Sequence, residues 1–423
     1  SSCSHLGSSN RETPPSGRAE AASPMVDATL EDVPETPTSV VPTAAAAPAS
    51  AAPAAAPPAE TGEVVGDDAV TNGGLGPSER RARVELPPAE EDDGPTYYRI
   101  GVDHMYDPST EEIHFQCARI KRLENLEPAG AGLKRLILIA NCIEKVEGLE
   151  SLVNLDHLEL YQNLVKRIEN ISHLTKLTTL DFSFNKIRSI APLGSCQFDQ
   201  LERLYLSSNK IDVAEGIYHF RKLVMLELGS NRIREMPPEL EQLSNLQELW
   251  LGKNKIPSMA LAPLPRLRHL SLQNNRLDVW DPALFRNCPQ LAYLYLGHNN
   301  LPDLPEEFAM LLELVEVDLA KNAIKGIRGF PQLTKLQELW LNDNQIEDLS
   351  ETRNLALYPA LKTVYLERNP MHGLGDAAAE EKYKEAILQA VPDLYQLDAE
   401  RINSTVKVIT DGSEKHIVGI RRA

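Results

Sequence analysis

The pattern L-x-x-L-x-L-x-x-N recurs eleven times between Leu133 and Asn369, with Val317 and Val364 standing in for the second leucine in two copies and Phe182 for the third in one. Successive asparagines, from Asn141 through Asn163, Asn185, Asn209, Asn231, Asn254, Asn275, Asn299, Asn322 and Asn344 to Asn369, step by 21 to 25 residues. A period of that length is the mark of an array of stacked units rather than of one globular core. Within each copy the later leucines alternate, so on a strand they point to one side. The asparagine turns the chain, and its amide can satisfy backbone groups that the turn leaves unpaired. A second apolar pair follows, as in Ile187/Ile190, Ile233/Met236 and Ile324/Ile327. Roughly ten residues then lead back, too few for a long helix. A single unit cannot bury its own apolar side; stacking makes the core continuous.

These features predict an α/β leucine-rich-repeat solenoid with a concave parallel sheet and short 3-10 or irregular turns on the convex side. A degenerate copy, Ile113–Leu123, lacks the asparagine and is expected to cap the start within residues 96–132. The eleven strands occupy 133–369. Residues 370–402 are expected to close the far end with a helix: Asp376 can cap it, Tyr383, Ile387 and Val391 share one side, and Pro392 stops it. Residues 403–423 read as a polar tail at the surface or disordered. Residues 1–95 are rich in Ala, Pro, Ser, Thr and acid, with a tract from Ala44 to Pro58 that offers no large apolar side chain. Such a segment is expected to be disordered.

The formal net charge of −18 argues against nucleic acid and anionic lipid as partners. Five scattered cysteines with no C-x-x-C pair argue against a disulfide framework or structural zinc, and for a reducing compartment. No leader-like apolar stretch opens the sequence and none is long enough to span a bilayer. Phosphate-binding glycine loops and H-E-x-x-H are absent, so no enzyme activity, metal or cofactor is expected. His157 near Glu159 and His269 near Ser271 read as surface histidines, because an open sheet does not bury a base.

The residue between the last two leucines of each copy faces the hollow. In order these are Ile137, Glu159, Asp181, Tyr205, Glu227, Trp250, Ser271, Tyr295, Asp318, Trp340 and Tyr365. Flanking positions add Tyr161, Glu248, Tyr293, Glu316, Glu338 and Glu367, against few bases, Arg135 and Arg203. Alternation thus turns Trp250 and Trp340 away from the core. Aromatics on a rigid sheet give large contact area at low entropy cost, and acids select a basic partner. Eleven strands at about 4.8 Å make an arc of roughly 50 Å.

The repeats, the acid–aromatic row and the terminal helix together resemble the leucine-rich-repeat regulatory subunits of type 1 protein phosphatase (the regulatory subunit 7 family), over residues 100–400. The resemblance implies a non-enzymatic regulator whose concave face holds the catalytic subunit of that Ser/Thr phosphatase, in nucleus and cytoplasm, with a second phosphatase inhibitor in a ternary complex. It places contacts at Asp181, Tyr205, Glu227, Trp250, Asp318, Glu338, Trp340 and Tyr365; Tyr295, in the same row, joins them as a candidate. The short phosphatase-docking motif of base, valine, any residue and aromatic is absent, since Arg83–Leu86 ends in leucine. The alternative is an intracellular repeat adaptor for a splicing, ciliary or cytoskeletal partner.

Overall fold

The computed structural model describes residues 96–237 and 240–402, and the backbone of 405–410 and 413–418. The expected 1–95 tail and the Arg83 segment lie outside these residues. Each motif copy forms one short strand: β1 (Glu112–Gln116) from the degenerate copy, then β2 (Arg135–Ile139), β3 (His157–Glu159), β4 (Thr179–Asp181), β5 (Arg203–Tyr205), β6 (Met225–Glu227), β7 (Glu248–Trp250), β8 (His269–Ser271), β9 (Tyr293–Tyr295), β10 (Glu316–Asp318), β11 (Glu338–Trp340) and β12 (Thr363–Tyr365). These pair in sequence order, all parallel, in one open sheet. The motif leucines are buried in a continuous core behind it.

What fixes the register is the asparagine. Each asparagine from Asn163 to Asn369 accepts, at 2.9–3.1 Å through Oδ1, the backbone N–H two residues beyond the preceding repeat's asparagine. Its amide donates to a leucine or phenylalanine carbonyl of that same preceding repeat at 2.7–3.2 Å. Asn141 does the same for the degenerate copy, through Ile120 N–H and Phe115 O. The residue just before each asparagine is left-handed, with φ between 53° and 58°, and none of the eleven is glycine. Each such residue costs about 1–2 kcal/mol, which the buried amide bonds of the neighbouring asparagine offset.

Five of the eleven return segments between β1 and β12 contain a 3-10 turn, such as Ala191–Ser195 and Leu349–Leu357, and five have only irregular turns. One is α-helical: α1 (Pro282–Asn287), started by Asp281, whose carboxylate accepts the Ala283 N–H. Beside it the third tryptophan, Trp280, is a core residue. Its ring meets Phe285 and Phe308, and its indole N–H donates to Pro302 O at 3.0 Å.

The far end closes as the sequence implies and with one addition. α2 (Ala377–Ala390) is capped by Asp376, which accepts from Ala378 and Ala379, and it buries Tyr383 and Ile387. Beyond it come β13 (Gln396–Leu397), parallel to β12, and β14 (Glu400–Arg401), antiparallel to β13. Asp398 directly follows β13, level with Tyr365 of β12. Its Oδ1 accepts the N–H groups of Leu366 and Glu367, and its Oδ2 accepts the Tyr383 hydroxyl at 2.7 Å. Residues 403–423, read from sequence as a polar tail, contain two antiparallel strands, β15 (Thr405–Thr410) and β16 (Ser413–Val418). β-Branched residues on either side of the Asp411-Gly412 pair are a hairpin signal that the polar reading overlooked.

Replacing Asn254 by Ala leaves the buried Ile233 N–H without its acceptor, while Leu228 O keeps the Asn231 amide. One unsatisfied buried group predicts a loss of about 1–3 kcal/mol, read as a lower denaturant midpoint of the full chain at unchanged slope.

Candidate protein-interaction face

Because every strand is registered on the next, the outward side chains form straight rows. The central row is Ile137, Glu159, Asp181, Tyr205, Glu227, Trp250, Ser271, Tyr295, Asp318, Trp340 and Tyr365, each the Cα partner of the next. The row before it holds Arg135, His157, Thr179, Arg203, Met225, Glu248, His269, Tyr293, Glu316, Glu338 and Thr363. The nine candidate residues, Asp181, Tyr205, Glu227, Trp250, Tyr295, Asp318, Glu338, Trp340 and Tyr365, therefore share one face. Eight lie in the central row and Glu338 lies one position aside, opposite Glu316. From β6 to β12 neither row contains Lys or Arg.

All nine are half-buried rather than fully in water. The two tryptophans lean on neighbouring rings. Trp250 stacks on Tyr295 with centroids 6.0 Å apart and planes at 20°, although β8 lies between them. The small Ser271 in that intervening position leaves the gap the rings close over. His269 lies flat on Tyr293 at 4.2 Å, and Trp340 tilts against Tyr365 at 5.0 Å. The Trp250 indole N–H donates to Glu248 at 3.2 Å, whereas that of Trp340 is buried with no acceptor among the described residues. Sequence alternation gave the direction of the rings but not their mutual cover.

The two central aspartates adopt the same pose. Asp181 accepts the Ser183 N–H at 2.6 Å and Asp318 the Ala320 N–H at 2.8 Å, so each carboxylate folds down onto its own strand. Asp318 lies directly over Gly297, where an added Cβ would meet its oxygens at 2.7 and 2.8 Å. That glycine is a supporting residue that the motif gave no reason to single out. Burial against the sheet pushes both aspartates up to about 6, with the Glu159 and Glu227 charges adding to the effect at Asp181. Burial likewise raises Glu227, and raises Glu316 with help from the Glu338 charge. Burial carries the Tyr295 phenol well above its usual range and holds His269 below its usual value. His157 and Glu159 touch at 3.3 Å on the rim of a shallow hollow that also includes Asp181, Arg203 and Tyr205. Among the described residues no group of three or more His, Cys, Asp or Glu could hold a metal, and no helix is long and apolar enough to cross a membrane.

Residues 221–277 and 265–324 match the family described as Leucine rich repeat, and residues 175–218 and 313–356 that described as Leucine Rich repeats (2 copies). The fold is that of a leucine-rich-repeat solenoid, and the matches lie within its repeats. Its repeats are 31% identical over 113 residues to bovine osteomodulin, covering 27% of this chain and 26% of that protein. They are 32% identical over 140 residues to mouse nephrocan, covering 32% and 26%. The match thus spans about a quarter of the length of these curated relatives. Among solved structures, the Leptospira interrogans protein LIC12759 is 25% identical at a TM-score of 0.51, covering 63% of this chain and 72% of that one. The LRIM1/APL1C complex is 19% identical at 0.51, covering 73% and 60%. These likenesses agree with the solenoid built above and support a repeat scaffold for protein–protein contact.

The raised aspartates set a sign for the pH dependence of stability. Asp181 and Asp318 hold more protons folded than unfolded between about pH 4 and 6, so their contribution is present at low pH and is lost as pH rises through about 6. Relative to the double variant Asp181→Asn/Asp318→Asn, the protein should gain stability as pH falls from about 7.5 to 5. With screening by water in the open trough the gain is about 1 kcal/mol per residue. Thermal midpoints of the two proteins across that range check it.

Proposed function

We propose that the concave face binds the catalytic subunit of a type 1 Ser/Thr protein phosphatase and regulates its activity or maturation. The observation that carries this is the pair of registered rows from β6 to β12, in which aromatics and acids are interspersed without any Lys or Arg. Such a face suits a rigid basic surface: the rings supply apolar contact and the acids supply charge complementarity. In this reading Trp250 and Trp340 are the anchors, Tyr205, Tyr295 and Tyr365 extend the contact, and Asp181, Glu227, Asp318 and Glu338 pair with Lys or Arg of the phosphatase. The choice of phosphatase follows from the resemblance of the row and the terminal helix to the regulatory subunit 7 family. With it come residence in nucleus and cytoplasm and a second inhibitor in a ternary complex.

The test is calorimetric titration of the full chain against the phosphatase catalytic subunit, with phosphatase activity followed in parallel. One-to-one binding is expected, weakened about thirtyfold by Trp340→Ala, or about 2 kcal/mol. Wild-type affinity in Trp250→Ala/Trp340→Ala would rule this face out. A basic partner favours ionised Asp181 and Asp318, so binding must release their protons at acid pH. Affinity should therefore fall between about pH 7.5 and 5.5, and less steeply in Asp181→Asn/Asp318→Asn. An equal pH slope in the two proteins would remove these carboxylates from the contact.

A further inference from the structure

The flank of the solenoid just past the asparagines carries a second ordered row, of opposite sign. The residue after the asparagine is Lys186, Lys210, Arg232, Lys255 and Arg276 in five consecutive repeats. It is Leu164 in the repeat before and Asn300 in the repeat after, so the row has two ends. Each of the five donates its backbone N–H to the preceding repeat at 2.8–2.9 Å, so one hydrogen bond per repeat stacks them. Their side chains are exposed or half-exposed, and among the described residues none makes an ion pair or side-chain hydrogen bond. Some cations elsewhere on the surface are held by acids, as Lys134 by Glu111, Lys335 by Glu313 and Lys384 by Glu400.

Two hollows lie near the row. One, of about 670 Å³, has Lys166, Arg188, Glu169, Pro192 and Cys196 in its lining but no residue of the row; the other, of about 510 Å³, is lined by Arg232 and Lys255 of the row with Arg234, Val213 and Met236. Asp212 and Glu235 also border the second, without pairing to these bases. At about 4.8 Å per repeat the five cations span about 19 Å, the length of roughly six extended residues. No aromatic ring lines either hollow, so nothing there would stack on a base. Apolar floors rimmed by cations suit amino-acid side chains beside carboxylates.

We propose that this flank is a docking strip for an extended acidic peptide segment of a partner protein, separate from the concave face and independent of what that face binds. Carboxylates of the segment would pair along the lysine–arginine row, and its intervening side chains would enter the hollows. The row would set orientation and on-rate in a molecule whose overall charge repels acids.

The experiment uses the full chain and a fluorescent oligo-glutamate peptide with interspersed leucines, followed by anisotropy. Saturable binding that weakens with salt is expected. Lys210→Glu/Arg232→Glu/Lys255→Glu should weaken it by at least about tenfold. Lys222→Glu/Lys335→Glu/Lys384→Glu makes the same charge change elsewhere and should leave it unaltered. If the first triple variant does not fold, as judged by thermal unfolding, the glutamine triple at the same positions replaces it. Equal weakening by both triples would mean bulk charge alone and overturn the strip. Tighter binding of single-stranded RNA of matched charge would overturn the peptide class. At least tenfold tightening when Glu90–Asp93 are replaced by Gly and Ser would assign the row to this chain's own acidic run and overturn the external partner.

Discussion

The asparagine ladder is the interaction on which the rest depends. Most strands of the sheet are only three residues long, too short to hold a register by their own hydrogen bonds. The side-chain amide of each asparagine ties the turn of one repeat to the backbone of the one before, in a buried position where an unmet partner is costly. It also makes the left-handed residue before it tolerable for Phe184, Lys253 or His298, side chains that would ordinarily avoid that conformation. Apolar stacking supplies the bulk of the stability, but it is non-directional. Direction comes from the ladder.

The concave face inherits its order from that register and its chemistry from what is laid upon it. Carboxylates fold down against the sheet, lose hydration and hold their protons more tightly than in water. Rings cover each other across strands where a small residue such as Ser271 leaves room. The face is therefore under electrostatic load before any partner arrives, and a cation placed on it would relieve that load.

Much of this was legible in the sequence. Eleven motif copies specify β2 to β12, their order and which side each residue faces, because a period of two on a strand admits little else. The degenerate first strand, the capped terminal helix and Asp376 follow from the same local rules. Features that depend on contact between repeats were not legible. The rule of alternation does not reveal that Trp250 reaches Tyr295 across Ser271, that Gly297 makes room for Asp318, or that Asp398 ties the end of β12 to α2. Nor does a reading by net charge disclose a basic flank, since −18 is a sum that hides where its parts lie. The strands at 405–410 and 413–418 escaped because polar composition was weighed above alternation.

A strand of three residues with one buried in the middle leaves two side chains on display, and the ladder, not those two, decides where the strand sits. Display and architecture are thereby uncoupled. A change at Tyr205 or Glu338 rewrites one cell of a grid without disturbing the spacing of the others, so the surface can be edited repeat by repeat like movable type. A chain built this way can explore new partners through single substitutions while its scaffold stays under constant constraint, and insertions are tolerated only in the return segments, where no cell of the grid is defined.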